Sequence, residues 1–548
     1  MIQSIDYYAV APPLILALTA GLVLLLDAFL PRKPYVRPAL GAVTLAGTLG
    51  ALAVVVSQAV RAAGPLKTFC VPEGLLDAPG AVPGGTAPLL ADPETGPGAA
   101  APCSFVVDDF TLVFAGLALA AGVVVVLLSA ARLSSGDIPV GEWYFLLLCT
   151  LVGAVTLPAS RDLIMLVVAL ELVSLPVFAL AGLKRYDGRS SEAAVKLFLV
   201  SVVSTAVTLF GVSLLYGTTG TVYLDRMASA LRAGGPQALA ATGAATYGPT
   251  PEAADPLSAV VTVAVVLVLA GFAFKIAAVP FHSWAGDVYQ GVPVPVAALL
   301  SVISKAAGFA GLILVLVAAL ASQAATWLPL IAIIAALTMT AGNLLALRQR
   351  QAVRLLAWSS VAQSGYVLAP LGVRSDEAMN ASITYLVFYA AMNLGAFAVV
   401  TLVSRWQERG ELDDYRGLVF RSPPAGLALA FSLICLAGLP PGLAGLFAKI
   451  VVFREILDGG GGWLAVVMAV NTVIGLYYYV AWTVLIFTPA PAPVTAGGAA
   501  ETVPGAGGRP GWVPAAVAIA VTAVAVVAFS GAPQLVLDLV PAGLIGSG

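Results

Sequence analysis

The chain has 548 residues, of which 60% are hydrophobic and only 10% are charged, and its mean hydropathy is +1.00. This composition is far from that of a soluble domain and predicts an integral membrane protein. The net charge of −2 gives no nucleic-acid signature, and the single histidine leaves no pattern for a metal cluster or a soluble catalytic triad.

Apolar segments long enough to cross a hydrocarbon core of about 30 Å recur along the whole chain. They are approximately 11–30, 39–60, 107–131, 142–159, 161–183, 193–216, 257–281, 294–320, 327–347, 353–373, 378–404, 424–456, 462–488 and 512–537. We therefore expect an all-α membrane protein of about fourteen transmembrane helices. The segments 61–105 and 489–511 are rich in Gly, Pro and Ala and are predicted to be irregular loops. A short surface helix is predicted around Leu224–Leu239.

The distribution of Lys and Arg predicts the orientation in the membrane. One set of alternate loops carries 15 of the 26 basic residues, the other set carries 7, and 4 lysines lie inside apolar spans. The first set should be cytoplasmic, which places both termini and the insert 61–105 outside. Cys70 and Cys103 flank this insert, either as a disulfide in an oxidising compartment or as two unpaired thiols. No CxxC spacing or GxGxxG motif is present, so no iron–sulfur cluster, zinc or nucleotide site is expected in this chain.

Two spans contain interruptions. In the seventh span, the segment Phe274–Pro280 places a proline five residues after Lys275. In the twelfth span, the segment Gly438–Gly442 contains two adjacent prolines. Proline removes a backbone donor, and free backbone groups at this depth are tolerated only inside protein or beside a wet cavity. Paired interruptions are typical of inverted-repeat transporters; kinks that serve packing alone are the alternative. We predict helices 1–3 with the insert in 1–141, two inverted five-helix repeats in 142–321 and 322–488, and a linker with the last helix in 489–548.

Four lysines interrupt apolar helices, namely Lys196, Lys275, Lys305 and Lys449. A cation in the apolar middle of a helix costs roughly 2.5–3.5 kcal/mol on insertion scales. Glu171 lies in the middle of the fifth span with no neutralising residue within one helical turn, so its partner must come from another helix. Together these charges predict a pathway for charge across the bilayer.

Lys196 and two further polar residues, Glu192 and His282, can be interpreted in two ways. Glu192 and Lys196 have the i, i+4 spacing of a helix-surface ion pair, and Lys196 is also a candidate modulator of Glu171. His282, the only histidine, follows the break of the seventh span. It is either a structural hydrogen-bonding group or a member of a proton relay.

Several motifs resemble one known family. The segments Val279–Trp284, Asp287–Val296, Glu171–Pro176 and Glu192–Lys196 closely resemble signatures of the antiporter-like subunits of respiratory complex I, the proton-translocating NADH:quinone oxidoreductase. The resemblance covers essentially all fourteen spans and is closest to the N-type subunits. Two features depart from the family pattern: Ala285-Gly286 replaces a frequent Thr-Pro, which is expected to soften the turn, and the insert 61–105 is additional.

The resemblance implies roles for specific residues. Glu171 is expected to pair with Lys275, Lys305 to be the central relay, and Lys449 to be the outlet-side group. From their positions in the sequence, and not from the resemblance, Lys196, Glu192 and His282 are predicted modulators. A lysine at position 449 is typical of N-type subunits, whereas M-type subunits are expected to have glutamate.

The same resemblance implies the assembly. FMN, iron–sulfur clusters and quinone are expected in partner subunits and no cofactor in this chain. The expected partners are the M subunit and small K- and J-type subunits, in a bacterial cell membrane. Subunits of multi-chain Na⁺/H⁺ antiporters or membrane-bound hydrogenases are an alternative, and a membrane scaffold in which charges only lock helices together is another.

Overall fold

The computed structural model describes residues 5–31, 35–61, 64–72, 101–134, 136, 138–184, 186–232, 256–407, 409–489 and 511–540. Within these ranges, twelve helices are long and apolar enough to cross a membrane. They are α1 (Ala11–Phe29), α2 (Val36–Val60), α3 (Asp109–Leu133), α4 (Val140–Ala159), α5 (Leu163–Gly182), α6 (Gly188–Thr219), the first half of α7 (Pro256–Lys275), α8 (Val294–Ala319), α9 (Ala321–Ala346), α11 (Ala378–Val403), α13 (Gly462–Phe487) and α14 (Trp512–Gly531).

The other two predicted spans also coincide with helices. α10 (Ala352–Leu368) has 17 residues, and α12 consists of two halves, Pro423–Ala437 and Leu443–Asp458. The second half of α7 is the helix Trp284–Gly291. The all-α membrane architecture is therefore confirmed, whereas the count of fourteen crossings and the two repeats stay predictions.

Both broken helices end their first half through a residue with positive φ. In α7 this residue is Ala277, at φ 57°, and the N–H of Ala278 donates to Ala273 O at 2.7 Å. In α12 it is Gly438, at φ 82°, whose N–H donates to Ile434 O at 3.0 Å. These bonds satisfy some of the carbonyls that a helix end leaves free. Of the other carbonyls at the breaks, those of Leu436 and Ala437 accept from Lys449 and that of Ile276 accepts from Ser364.

The ends of the insert 61–105 are not an irregular loop, as the sequence predicts, but two paired strands. Leu66–Cys70 (β1) pairs with Cys103–Val107 (β2) as an antiparallel hairpin, and Cys70 forms a disulfide with Cys103. The strands consist largely of residues with β propensity, such as Thr, Phe and Val. The Gly- and Pro-rich composition that predicted a loop belongs to the sequence between them, of which residues 73–100 lie outside the described part.

Hydrogen bonds join neighbouring loops at each end of the helix bundle, as expected for helices that cross in alternating directions. At one end, the N–H of Arg161 donates to Ser104 O at 2.8 Å, which joins the α4–α5 loop to β2. At the other end, the N–H of Ala352 donates to Gly410 O at 2.9 Å, which joins the α9–α10 loop to the α11–α12 loop. The short surface helix is present as Leu224–Arg232, and its predicted remainder lies outside the described residues. Which end is cytoplasmic stays a prediction.

The core of the bundle is built around α8 and α11, which are the most enclosed of the twelve spans. α10 packs against α9, α11 and the second half of α7. A π-helical turn, Leu300–Ser304, directly precedes Lys305 in α8. Such turns interrupt the regular hydrogen-bond ladder and are frequent at functional sites. The buried lysines lie in this central region.

Candidate proton-relay site

Glu171 and Lys275 are brought together from α5 and α7. Lys275 Nζ lies 3.2 Å from Glu171 Oε1 and donates to Ser174 Oγ at 2.7 Å and Ser201 Oγ at 3.2 Å. Thr205 Oγ1 donates to the same carboxylate oxygen at 2.7 Å. Lys275 is 6% exposed and the Glu171 side chain is 22% exposed. This ion pair joins a buried lysine to a partly exposed carboxylate, and hydroxyl groups occupy the other two donor positions of the lysine.

Lys305 is buried in α8 and is bound by α10. Its Nζ donates to the main-chain oxygen of Ser360 at 2.5 Å and to Ser364 Oγ at 2.8 Å. Within the described ranges, no carboxylate lies within salt-bridge distance of this ammonium group. Lys305 is therefore held by dipoles and not by a full negative charge.

One hydroxyl group connects Lys305 to the break of α7. Ser364 Oγ, which accepts from Lys305, donates to the carbonyl oxygen of Ile276 at 2.9 Å, and the carbonyl oxygen of Ser360 in its own helix is a second acceptor at 3.1 Å. Ile276 directly follows Lys275 in the chain. Gly308 of α8 permits this approach, because a Cβ added there would lie 2.9 Å from Ile276 Cγ2 and 3.3 Å from Lys275 Cβ. Ser364 thus joins Lys305 to the main chain of Ile276, the residue after Lys275, whereas the Lys275 side chain itself bonds to Glu171, Ser174 and Ser201.

Lys449 lies at the break of α12. Its Nζ donates to the carbonyl oxygens of Ala437 at 2.6 Å and Leu436 at 3.2 Å, which end the first half of α12. The same nitrogen lies 5.6 Å from the ring centre of Tyr366 on α10. The partial negative charge of a helix C-terminus and the face of an aromatic ring both stabilise a cation.

Buried hydroxyl and amide groups occupy the region between Lys305 and Lys449, and the sequence analysis missed them. Ser360 Oγ lies 2.7 Å from Tyr389 Oη, Tyr385 Oη donates to Gln363 Oε1 at 2.5 Å, and Gln363 Nε2 donates to Tyr479 Oη at 3.1 Å. The available signal was in α10 itself, which carries Ser359, Ser360, Gln363, Ser364 and Tyr366 within eight residues. Such groups can exchange protons or order water.

The three candidate modulators lie elsewhere. Lys196 Nζ pairs with Glu192 Oε1 at 2.6 Å and with Asp287 Oδ2 at 3.2 Å, and neither partner is Glu171. His282 follows the break of α7, with its ring 5.9 Å from that of Trp358. Its Nδ1 is buried and has no hydrogen-bond partner among the described residues.

The described residues contain no group of three or more His, Cys, Asp or Glu side chains that could hold a metal ion. The free thiols of Cys149 and Cys435 lie on different helices, α4 and α12. A cavity of about 1160 Å³ lies among α1–α4 and is lined in part by Asp27, Arg37 and Glu142. None of the four lysines lines this cavity, so it is separate from the site described above.

Comparison with known proteins agrees with the motif resemblance. The family model described as "NADH:quinone oxidoreductase/Mrp antiporter, TM" matches residues 160–475. The chain is 48% identical over 550 residues to NADH-quinone oxidoreductase subunit N 2 of Streptomyces griseus, covering 98% of this chain and 93% of the relative. It is 43% identical over 493 residues to subunit N of Salinispora tropica, covering 87% and 84%.

Solved structures give the same fold. A chain of respiratory complex I from Thermus thermophilus superposes with a TM-score of 0.68 at 29% identity and covers 96% of this chain and 98% of that one. A chain of the Mrp complex from Dietzia sp. superposes with a TM-score of 0.75 at 21% identity, covering 99% and 98%, and shows the fold alone. The chain therefore belongs to the NADH:quinone oxidoreductase/Mrp antiporter family of membrane subunits and, within it, to the subunit N group of NADH-quinone oxidoreductase.

Proposed function

We propose that this chain translocates protons across the bacterial cell membrane as a membrane-arm subunit of NADH:quinone oxidoreductase, coupled to electron transfer from NADH to quinone. Glu171, Lys275, Lys305 and Lys449 form the relay. The observation that carries this proposal is the bridge through Ser364, which joins the break beside Lys275 to the ammonium group of Lys305. Ionisable side chains buried within membrane-spanning helices are costly, and they commonly mark the pathways of ions or protons.

The ion pair of Glu171 and Lys275 is the energetic input of the proposed relay. At 3.2 Å and an effective dielectric constant of about 20, the attraction is about 5 kcal/mol. Increasing the separation to about 7 Å would weaken it by about 3 kcal/mol. Moving one charge against 100 mV requires about 2.3 kcal/mol. A modest rearrangement of this pair therefore involves enough free energy to move one proton.

The remaining steps follow the polar groups along the middle of the bundle. A change at the Glu171–Lys275 pair alters the electrostatic field at Lys305 through the Ile276 carbonyl and Ser364. Protons then pass from Lys305 along the hydroxyl groups of α10 and α11 to Lys449. Lys449 is the outlet because it lies at the second helix break, where it binds the carbonyls that end the first half of α12 and where interrupted backbone is compatible with a wet cavity.

Electron transfer is assigned to other chains of the complex. FMN and iron–sulfur clusters in partner subunits would oxidise NADH and reduce quinone, and an M-type subunit and small K- and J-type subunits would flank this chain. We also propose that both termini and the β1–β2 hairpin face the extracytoplasmic side, because the more basic set of loops is at the other end.

The test is the substitution Lys275→Ala in the assembled complex. It should abolish NADH-driven proton pumping, measured as acidification of inside-out membrane vesicles, because the carboxylate of Glu171 loses its counter-charge. Lys184→Ala is the matched control, since Lys184 pairs with Asp187 in the α5–α6 loop outside the relay. Full proton-to-electron stoichiometry in the Lys275→Ala complex would overturn the relay and favour a scaffold role.

A further inference from the structure

The second half of α7 is held between α6 and α10 by close backbone contacts. A Cβ added to Gly291 would lie 2.6 Å from Ala193 Cβ on α6. A Cβ added to Gly286 would lie 2.7 Å from the Trp358 ring on α10. Any side chain larger than hydrogen at these positions would push one neighbour away. The glycine of the Ala285-Gly286 pair therefore permits tight packing rather than the softer turn expected from the sequence.

Asp287 lies on this half-helix and binds a cation from each neighbour. Its Oδ2 lies 3.2 Å from Lys196 Nζ on α6, and its Oδ1 lies 3.1 Å from Arg354 Nη2 on α10. Arg354 Nη1 also donates to Gln290 Oε1 at 3.2 Å. Lys196 is neutralised further by Glu192 at 2.6 Å. We name Glu192, Lys196, Asp287, Gln290 and Arg354 the α7 clamp.

The α7 clamp affects the position of the second half of α7 more than the stability of the fold. The side chains of Lys196, Asp287 and Arg354 are 43%, 44% and 36% exposed, and half-exposed ion pairs stabilise a fold only weakly. However, the segment between Lys275 and Trp284 contains no regular helix. The position of the second half of α7 is therefore determined by its lateral contacts, and the clamp is the charged part of those contacts.

α10 connects the α7 clamp to the proposed relay, because it carries both Arg354 and Ser364. Arg354 is near the start of α10, and Ser364 lies about 15 Å further along the same helix. Ser364 Oγ accepts from Lys305 of α8 and lies within hydrogen-bonding distance of two carbonyl oxygens, that of Ile276 at the α7 break at 2.9 Å and that of Ser360 in its own helix at 3.1 Å. A shift of α10 against α7 by about 1 Å would lengthen one of these hydrogen bonds beyond the usual range.

We propose that Asp287 is a positioning residue: its carboxylate ties α6 and α10 to the second half of α7 and keeps Ser364 within reach of both Lys305 and Ile276. This inference rests on the proposed function, since the bridge through Ser364 matters only if Lys275 and Lys305 relay protons. Asp287 itself touches none of the four relay residues in the described contacts.

The test compares variants of the complete complex in inside-out vesicles. Asp287→Asn keeps the size of the side chain and removes its charge, and it should lower the initial rate of NADH-driven proton pumping by about fivefold. Asp287→Glu retains the charge and should restore more than half of that rate. Asp458→Asn is the matched control, because Asp458 forms an exposed pair with Arg454 within α12, and it should pump as the unaltered complex does. All rates are normalised to NADH oxidation by ferricyanide, which reports the assembled flavin subunit.

A double variant separates positioning from general damage. Arg354→Gln removes one arm of the clamp, and combining it with Asp287→Asn should lower pumping no further than Asp287→Asn alone. Full pumping by Asp287→Asn, equal loss in Asp287→Glu, or additive losses in the double variant would overturn the proposal. Failure of both single variants to assemble would do the same, because it would make the clamp a folding element only. Lys275→Ala is measured in parallel: if it pumps fully, the proposed function fails, whatever the clamp variants do.

Discussion

Ser364→Ala should impair pumping more than its small size suggests. The hydroxyl accepts from Lys305 Nζ at 2.8 Å and donates to Ile276 O at 2.9 Å, and Ser364 is 2% exposed. A buried hydrogen bond to a charged group contributes about 1.5–3 kcal/mol. If this contribution is lost in the proton-transfer step, its rate constant falls by about 10- to 150-fold. No charge and little volume are removed, so the complex should still assemble.

The assay measures the initial rate of NADH-driven proton pumping in inside-out vesicles, normalised to the amount of assembled complex. We expect the Ser364→Ala rate to be lower by a factor of about ten or more. Ser382→Ala is the matched control, because Ser382 is fully buried in α11 but donates to the Ala378 carbonyl of its own helix at 3.1 Å. Normal pumping by Ser364→Ala would refute the bridge to Lys305, and an equal loss in Ser382→Ala would attribute the effect to packing.

Two further predictions concern the α12 break and the hairpin. Gly438→Ala should slow pumping, because the new Cβ would lie 3.0 Å from Lys449 Cδ at a φ of 82°; Gly460→Ala, at φ 77° with open space around it, is the control and should pump normally. Pumping by Gly438→Ala at the control rate would contradict this. A membrane-impermeant reductant followed by an impermeant maleimide should label Cys70 and Cys103 in whole cells and not in inside-out vesicles. The reverse pattern, read by mass spectrometry, would contradict the proposed orientation.

Local sequence features predict the helices and the breaks well. An apolar run of about 20 residues has few alternatives in a membrane, because every backbone polar group must be satisfied within the segment. Proline at position 280 and the pair at 440 and 441 remove donors, and the structure ends the first half of α7 at Lys275 and that of α12 at Ala437. These outcomes depend on residues that are neighbours in the chain.

Contacts between distant segments could not be predicted in the same way. Asp287 was part of a motif that indicated the family, but its partners Lys196 and Arg354 come from two other helices. The hydroxyls of α10 were missed because most Ser and Thr in apolar helices bond to their own backbone, as Thr338 does to Ile334 O at 2.6 Å. Ser364 also makes such a bond, to Ser360 O at 3.1 Å, and the additional contacts of the α10 hydroxyls become visible only when α7, α8 and α11 lie against them.

The three buried lysines differ in what binds them, and this difference gives the proposed relay a direction. Lys275 has a carboxylate, Lys305 has a carbonyl and a hydroxyl, and Lys449 has two carbonyls and an aromatic face. The partners of Lys449 include two main-chain carbonyls at a helix end, and Lys305 is bound by the main-chain carbonyl of Ser360 and the side-chain hydroxyl of Ser364. Glu171 is on a side chain that can rotate away. Among these described contacts, Glu171 is the one charged partner of a buried lysine, so we place the input of the proposed relay at the Glu171–Lys275 pair.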